Sequence, residues 1–214
     1  MLGPGSWPSG ASLLAAEGAV LAGGQSRRMG RDKAALVIAG QPLLVRVVGR
    51  LQRVTPQVRV IGPPARHALV PGVPVVPDER PNCGALGGIY TALRATSAAY
   101  VLVVGCDMPF LSVPLLRHLL DVVPGYDAAV LRSGGRTEQL HAVYGRSCLP
   151  VIENLIAAGS LKAARVFALV RTRYVDAAEA ARFDPVGLSA LNVNTAVEWQ
   201  RALALLDDHA LDEM

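Results

Sequence analysis

Aromatic side chains are scarce in this chain of 214 residues, at 5%, although 51% of it is hydrophobic. The apolar mass is Ala, Val and Leu, which suits buried strands alternating with helices rather than an aromatic-rich interaction surface. Cysteine is sparse too. Cys83, Cys106 and Cys148 are odd in number and lack C-x-x-C spacing, which argues against a disulfide framework or zinc knuckle; they read as core thiols in a reducing cytoplasm. No stretch reaches the about eighteen uninterrupted apolar residues of a membrane span, and no membrane association is expected. The N-terminus lacks a positive n-region and Glu17 interrupts its apolar stretch, so no signal peptide is read. Dense Lys/Arg runs interleaved with aromatics are missing, which favours a pocket for a small phosphorylated molecule over a nucleic-acid surface. The net charge of +4 suits an anionic ligand without naming it.

What is present is alternation. GAVLAG, QVRVIG, VPVVPD, AYVLVVGCD and YDAAVLR are short, Val-rich runs closed by Gly, Pro or Asp, and they predict largely buried strands. Between them, PLLVRVVGRLQRV puts Leu43, Leu44, Val47, Val48 and Leu51 on one helical face and Arg46, Arg50 and Arg53 largely on another. LGGIYTALRATS and SVPLLRHLLDVV behave similarly, the second with Ser112 as N-cap and Pro114 in its first turn. PVIENLIAAGSLKAARVFALV suggests two helices broken at Gly159 and Ser160, followed by a short strand at RTRYVD and a final helix at TAVEWQRALALLDDH. The expected fold is α/β, a Rossmann-like doubly wound and mostly parallel sheet. Residues 1–15, rich in Gly, Pro and Ser, read as a flexible tail before a single domain over 16–214.

In such a sheet ligands sit beyond the carboxyl ends of the strands. The segment LAGGQSRRMGRDK leaves the first predicted strand at that edge. Gly23 and Gly24 lack Cβ atoms, so their amides can approach a base or phosphate. Arg27, Arg28 and Lys33 add cations suited to a polyphosphate. The segment is neither G-x-G-x-x-G nor a P-loop, because Arg31, Asp32 and Lys33 follow Gly30 without a Ser/Thr for magnesium. A metal must therefore be held elsewhere. VLVVGCDMPFL delivers Asp107 to a strand's carboxyl edge, where one carboxylate with phosphates and water completes a Mg²⁺ shell. Taken singly, the glycine pair also reads as a plain turn and Asp107 as a cap on the turn at Met108 and Pro109.

Taken together these residues resemble the molybdenum cofactor guanylyltransferases, nucleotidyltransferases with a glycosyltransferase-A-like sheet. LAGGQSRRMGRDKAAL resembles their L-A-G-G-x-S-x-R-M-G-x-D-K signature, DERPNCGALGGIYTAL their D-x(n)-G-P-L-x-G segment, CDMPFL their C-D-x-P-x-[LI] motif and LNVNTAVEW their N-V-N-T-P ending. The matches run in order from Leu21 to about Trp199. The resemblance implies that Leu21, Ala22, Gly23 and Gly24 present backbone to the nucleotide and that Lys33 and Arg28 bind its phosphates. It puts Asp78 on the nucleotide, Gly84 and Gly87 along the base and ribose, and Asp107 on Mg²⁺. Asn192 and Asn194 would approach the metal or the pterin, although both also read as turn residues. RTEQLHAVYG resembles a family strand; Lys162 or Arg165 could meet a second phosphate, and His141 reads as packed rather than catalytic. Ala85 and Ala196 stand where the family commonly has proline, and VIGPP lacks the asparagine many members use near the base.

The activity implied is transfer of GMP from GTP to the terminal phosphate of molybdenum-bound molybdopterin, with release of pyrophosphate. Implied partners are cofactor-delivering proteins and molybdoenzymes, in the cytoplasm. Two alternatives stay open on the residues alone. One is a CTP-dependent cytidylyltransferase or another nucleotidyltransferase acting on a phosphorylated small molecule. The other is a non-catalytic GTP-binding sensor in cofactor assembly.

Overall fold

Valine-rich runs become strands here because β-branched side chains fit a pleated surface covered on both faces. The computed structural model describes residues 16–23 and 32–208. In chain order these residues form β1 (Ala16–Leu21), β2 (Val37–Ile38), β3 (Gln41–Pro42), α1 (Leu43–Gln52), β4 (Val58–Ile61) and β5 (Val75–Val76). Then come α2 (Gly84–Arg94), β6 (Tyr100–Gly105), α3 (Val113–Val122), β7 (Ala128–Ser133) and β8 (Arg136–Gly145). Last are α4 (Leu149–Ala157), β9 (Thr172–Val175), α5 (Ala177–Ala180) and α6 (Ala196–Asp208). The tail expected over residues 1–15 lies outside the described residues.

Seven strands form the main sheet in the order β5-β4-β1-β6-β8-β7-β9, and β2 with β3 makes a small separate hairpin. The β5, β4, β1 and β6 strands run parallel, as does β9 beside β7. The exception is β8, antiparallel to both β6 and β7. Its direction follows from the two-residue turn at Gly134 and Gly135, whose φ values of 55° and 75° suit a tight hairpin that returns the chain beside β7. That Gly-Gly signal was available in RSGGRT.

Two apolar layers cover the sheet. Leu43, Leu44, Val47 and Leu51 of α1 join Leu115, Leu116 and Leu119 of α3 against Val20, Leu102 and Val104. On the opposite face Leu86, Ile89 and Leu93 of α2 join Ile152 and Leu155 of α4 against Ala19, Val101 and Val103. The α3 start is as expected: the Ser112 hydroxyl accepts a hydrogen bond from the Leu115 amide, and Pro114 sits where no amide is needed.

On the arginine side of α1, Arg46 and Arg50 are buried and donate to the Pro109 and Leu111 carbonyls of the chain leaving β6. One expectation changes. After Gly159, whose φ of 66° ends the preceding turn, Ala163–Ala168 forms a 3-10 helix instead of a second α-helix. Lys162 precedes it without a side-chain cap, and six residues offer too few propagating bonds to offset nucleation.

Candidate active site

The carboxyl ends of β1, β4 and β6 open onto a cleft of about 740 Å³. Leu21, Ala22 and Gly23 line it from the end of β1, and Ile61 and Arg66 from the end of β4 and the turn after it. Asp78, Asn82, Gly84, Ala85 and Gly88 supply the wall nearest α2. Asp32, Lys33, Cys106, Leu140 and Asn194 complete the polar and apolar lining. The lining therefore combines backbone and small side chains with the charged groups of Asp32, Lys33, Arg66 and Asp78.

Lys33 begins a 3-10 turn over Lys33–Ala35, capped by the Asp32 carboxylate, which accepts from the Ala34 amide. The Lys33 ammonium donates to Asn194 Oδ1 at 2.9 Å, joining segments 161 positions apart. Asn194 is held in turn by Glu198. Its carboxylate accepts from the amides of Asn194 and Thr195 at 2.7 and 2.8 Å, while Thr195 Oγ1 accepts from the Glu198 amide at 3.2 Å. This reciprocal pair is a capping box at the start of α6, and the Asn194 amide foremost holds the Glu198 carboxyl below its ordinary range.

Asp107 lies two residues beyond β6, next in the chain to the cleft residue Cys106. Its carbonyl accepts from the Val193 amide at 2.8 Å, so the Asn192 to Asn194 segment is tied directly to it. Burial pushes the Asp107 carboxyl above the ordinary carboxylate range, and the Lys33 ammonium partly opposes that shift. Desolvation and the adjacent Asp107 carboxylate push the Cys106 thiol up to about 12, so it stays protonated and is a poor nucleophile.

Asp78 holds its own loop in shape: its carboxylate accepts from the Arg80 amide at 2.9 Å and from Thr91 Oγ1 at 3.0 Å. Gly84 opens α2 with a φ of 60°, a left-handed torsion that glycine adopts without a Cβ penalty. A Cβ on Gly87 would lie 2.4 Å from the Arg80 carbonyl oxygen, so glycine lets α2 pack under the Asp78 loop.

The family model of the MobA-like NTP transferase domain matches residues 18–184. The chain belongs to that family. Among its relatives is a protein of Pelotomaculum thermopropionicum named as a probable molybdenum cofactor guanylyltransferase, 36% identical over 92% of this chain and 96% of its own. A molybdenum cofactor guanylyltransferase of Syntrophotalea carbinolica is 31% identical over 85% and 88%. The solved structure of molybdopterin-guanine dinucleotide biosynthesis protein A from Archaeoglobus fulgidus superposes with a TM-score of 0.79 at 25% identity, covering 90% of this chain and all of that one.

Of the residues singled out in the sequence, Leu21, Ala22, Gly23, Lys33, Asp78, Gly84 and Asn194 line the same cleft. Gly24 and Arg28, with Arg27, lie outside the described residues. Gly87 packs behind the wall, Asp107 stands beside the lining, and the Asn192 amide group donates locally to the Ala190 carbonyl at 3.3 Å. Cys106 is partly buried against the core, and the turn after β6 also places it in the cleft lining. Arg165 donates to Ser160 Oγ at 2.8 Å, and neither it nor Lys162 reaches the cleft lining. Sequence reasoning missed Arg66 and the capping box. The first follows a predicted strand at its carboxyl edge, and T-x-x-E ahead of an apolar run was there to find in Thr195 and Glu198.

Proposed function

We propose that this MobA-like enzyme transfers GMP from GTP to the terminal phosphate of molybdenum-bound molybdopterin, with pyrophosphate as the second product. The observation that carries the reading is the bond from Lys33 to Asn194. It unites the end of the glycine-rich segment with the N-V-N-T segment beside Asp107, at a cleft large enough for a nucleotide, in a chain whose relatives are named guanylyltransferases.

In the reaction a terminal phosphate oxygen of the pterin attacks the α-phosphorus of GTP in line. The bond from that phosphorus to the oxygen bridging to the β-phosphate breaks, and its electron pair leaves with pyrophosphate. No protein nucleophile is needed, in keeping with a Cys106 held as its thiol. The protein's part is to hold two polyanions together and offset charge on the leaving group. We assign the β- and γ-phosphates to Lys33 and Arg28, the base and ribose to the wall from Asp78 to Gly88, and the α-phosphate side to the backbone of Leu21 to Gly24.

The donor set fits Mg²⁺. Among the described residues no group of three or more His, Cys, Asp or Glu side chains gathers as a protein cage. Mg²⁺ needs none, because it takes one or two carboxylates and completes its shell with phosphate oxygens and water. Asp107 would hold it, with Asn192 and Asn194 on the segment bonded to the Asp107 carbonyl. When bound, the cation would neutralise charge on the triphosphate. The half-buried Asp107 carboxyl favours such a counterion, since desolvation already disfavours its charged form.

Calorimetric titration with GTP, CTP and ATP in the presence of Mg²⁺, repeated on Asp107→Ala, tests the reading. Magnesium-dependent preference for GTP, lost in the variant, is expected. Preference for CTP would reassign the protein to cytidylyl transfer, and GTP binding without pyrophosphate release on addition of the pterin substrate would make it a sensor.

A further inference from the structure

Arg66 has no place in the chemistry described so far, yet its side chain is buried and lines the cleft. It sits on a 3-10 turn over Pro64–Ala68, just beyond β4. Its Nε donates to the Ala22 carbonyl at 3.2 Å, and its Nη1 donates to the Asp32 carboxylate. Ala22 and Asp32 flank the glycine-rich segment on either side. We propose that Arg66 is a positioning residue that ties these two flanks together and thereby sets where Lys33 stands relative to the nucleotide's triphosphate.

Both attachments rest on fixed structure. On one side the Ala22 amide donates to the Ile61 carbonyl at 2.8 Å, so Ala22 continues the β1 and β4 edge. On the other, Asp32 accepts from Arg66 through one oxygen and from the Ala34 amide through the other, which orients the 3-10 turn carrying Lys33. A continuous path thus runs from the sheet through Ala22, Arg66, Asp32 and Lys33 to Asn194.

The residue type suits the task. A guanidinium is planar and donates in several fixed directions, so it can serve a carbonyl and a carboxylate at once, whereas an ammonium is a point charge on a flexible stem. Asp32 also supplies the counter-charge that a buried arginine needs. The Arg66 hydrogen bond is foremost in holding the Asp32 carboxyl below its ordinary range, so that carboxylate remains ionised at neutral pH. Without the tie, the flanks of the segment would have to be brought together at an entropic cost on each binding event.

The proposal rests on the guanylyl-transfer reading only for its choice of nucleotide. GTP affinity is measured calorimetrically for the wild type, Arg66→Ala, Asp32→Asn and the double variant, each first checked by thermal melting. Either single change should weaken GTP binding by roughly tenfold, and the double variant should be no weaker than the worse single one, because both break one tie. Guanidinium ion at millimolar concentration should restore affinity to Arg66→Ala, and methylammonium should not. Losses that simply multiply in the double variant, or wild-type affinity in Asp32→Asn, overturn the proposal. Asp32 is half exposed, so Asp32→Asn decides the matter if Arg66→Ala melts too low. If the wild type binds no GTP, the functional reading fails instead. The tie is then judged on hydrogen exchange at the Ala34 and Ala35 amides, which should quicken in Arg66→Ala; unchanged exchange would overturn it.

Discussion

Asp107 and Lys33 occupy one electrostatic unit, and each is expected to fail differently when changed. Asp107→Ala removes the half-buried carboxylate assigned to the cation. Turnover should fall by about 1,000-fold, corresponding to about 4 kcal/mol of transition-state stabilisation. Full magnesium-dependent activity in a steady-state pyrophosphate assay would remove Asp107 from the metal site. Lys33→Ala loses both the bond to Asn194 and a charge-assisted contact to phosphate. A contact of that kind is worth about 2 kcal/mol, so GTP affinity should drop by roughly thirtyfold; equal affinities would refute a phosphate role. Gly87→Ala acts through packing. Its new Cβ would stand 2.4 Å from the Arg80 carbonyl oxygen, a backbone atom that cannot swing aside. Overpacking of this kind costs about 1–3 kcal/mol, and chemical denaturation should find the variant destabilised to that extent.

At the scale of elements, the turn after β6 and the start of α6 act as one support. The Asp107 carbonyl takes the Val193 amide, and the Glu198 carboxylate takes the next two amides in line. Glu198 therefore caps a helix and fixes Asn194, the partner of Lys33. Glu198→Ala should cost about 1 kcal/mol of stability, the usual value of a cap. If all of that loss reaches the nucleotide, GTP affinity falls about fivefold. A variant that melts earlier but binds GTP as tightly as the wild type would confine Glu198 to helix capping. Arg46 and Arg50 brace the same turn from α1 through the Pro109 and Leu111 carbonyls. That contact explains why these arginines can be buried: their guanidinium heads bond to backbone oxygen.

The whole molecule carries a pH dependence seated in its core. His141 on β8 is fully buried; its Nε2 is 3.5 Å from Ser189 Oγ, and its Nδ1 has no hydrogen-bond partner among the described residues. Desolvation holds the imidazole at about 4, against an ordinary 6.5. Between those values the unfolded chain binds a proton that the folded protein refuses. The stability contributed by neutral His141 is thus complete above pH 6.5 and is lost as pH falls toward 4. At pH 5 the loss from this residue is about 2 kcal/mol. Denaturant titrations at pH 7.5 and 5 should show it in the wild type, and His141→Leu should flatten the difference by that amount. An unchanged difference would mean that the imidazole keeps its water in the folded state.

The sequence by itself determined the alternation of strands and helices, the Ser112 cap, and the edge of the sheet where Lys33 and Asp107 would be found. These follow from local chemistry: β-branched runs favour strands, a hydroxyl caps its own helix, and a strand delivers the residues just beyond it to the sheet edge. Tertiary structure alone decided that Lys33 meets Asn194, that Arg66 spans Ala22 and Asp32, that Cys106 faces a cleft and that Arg46 and Arg50 are buried. The physical reason is the same in each case. A hydrogen bond between distant segments, and the burial of any one side chain, depend on which neighbours the sheet order brings alongside. The Gly134 and Gly135 turn sets β8 antiparallel beside β7, but no local pattern specifies that β8 also pairs with β6 and so stands between the two.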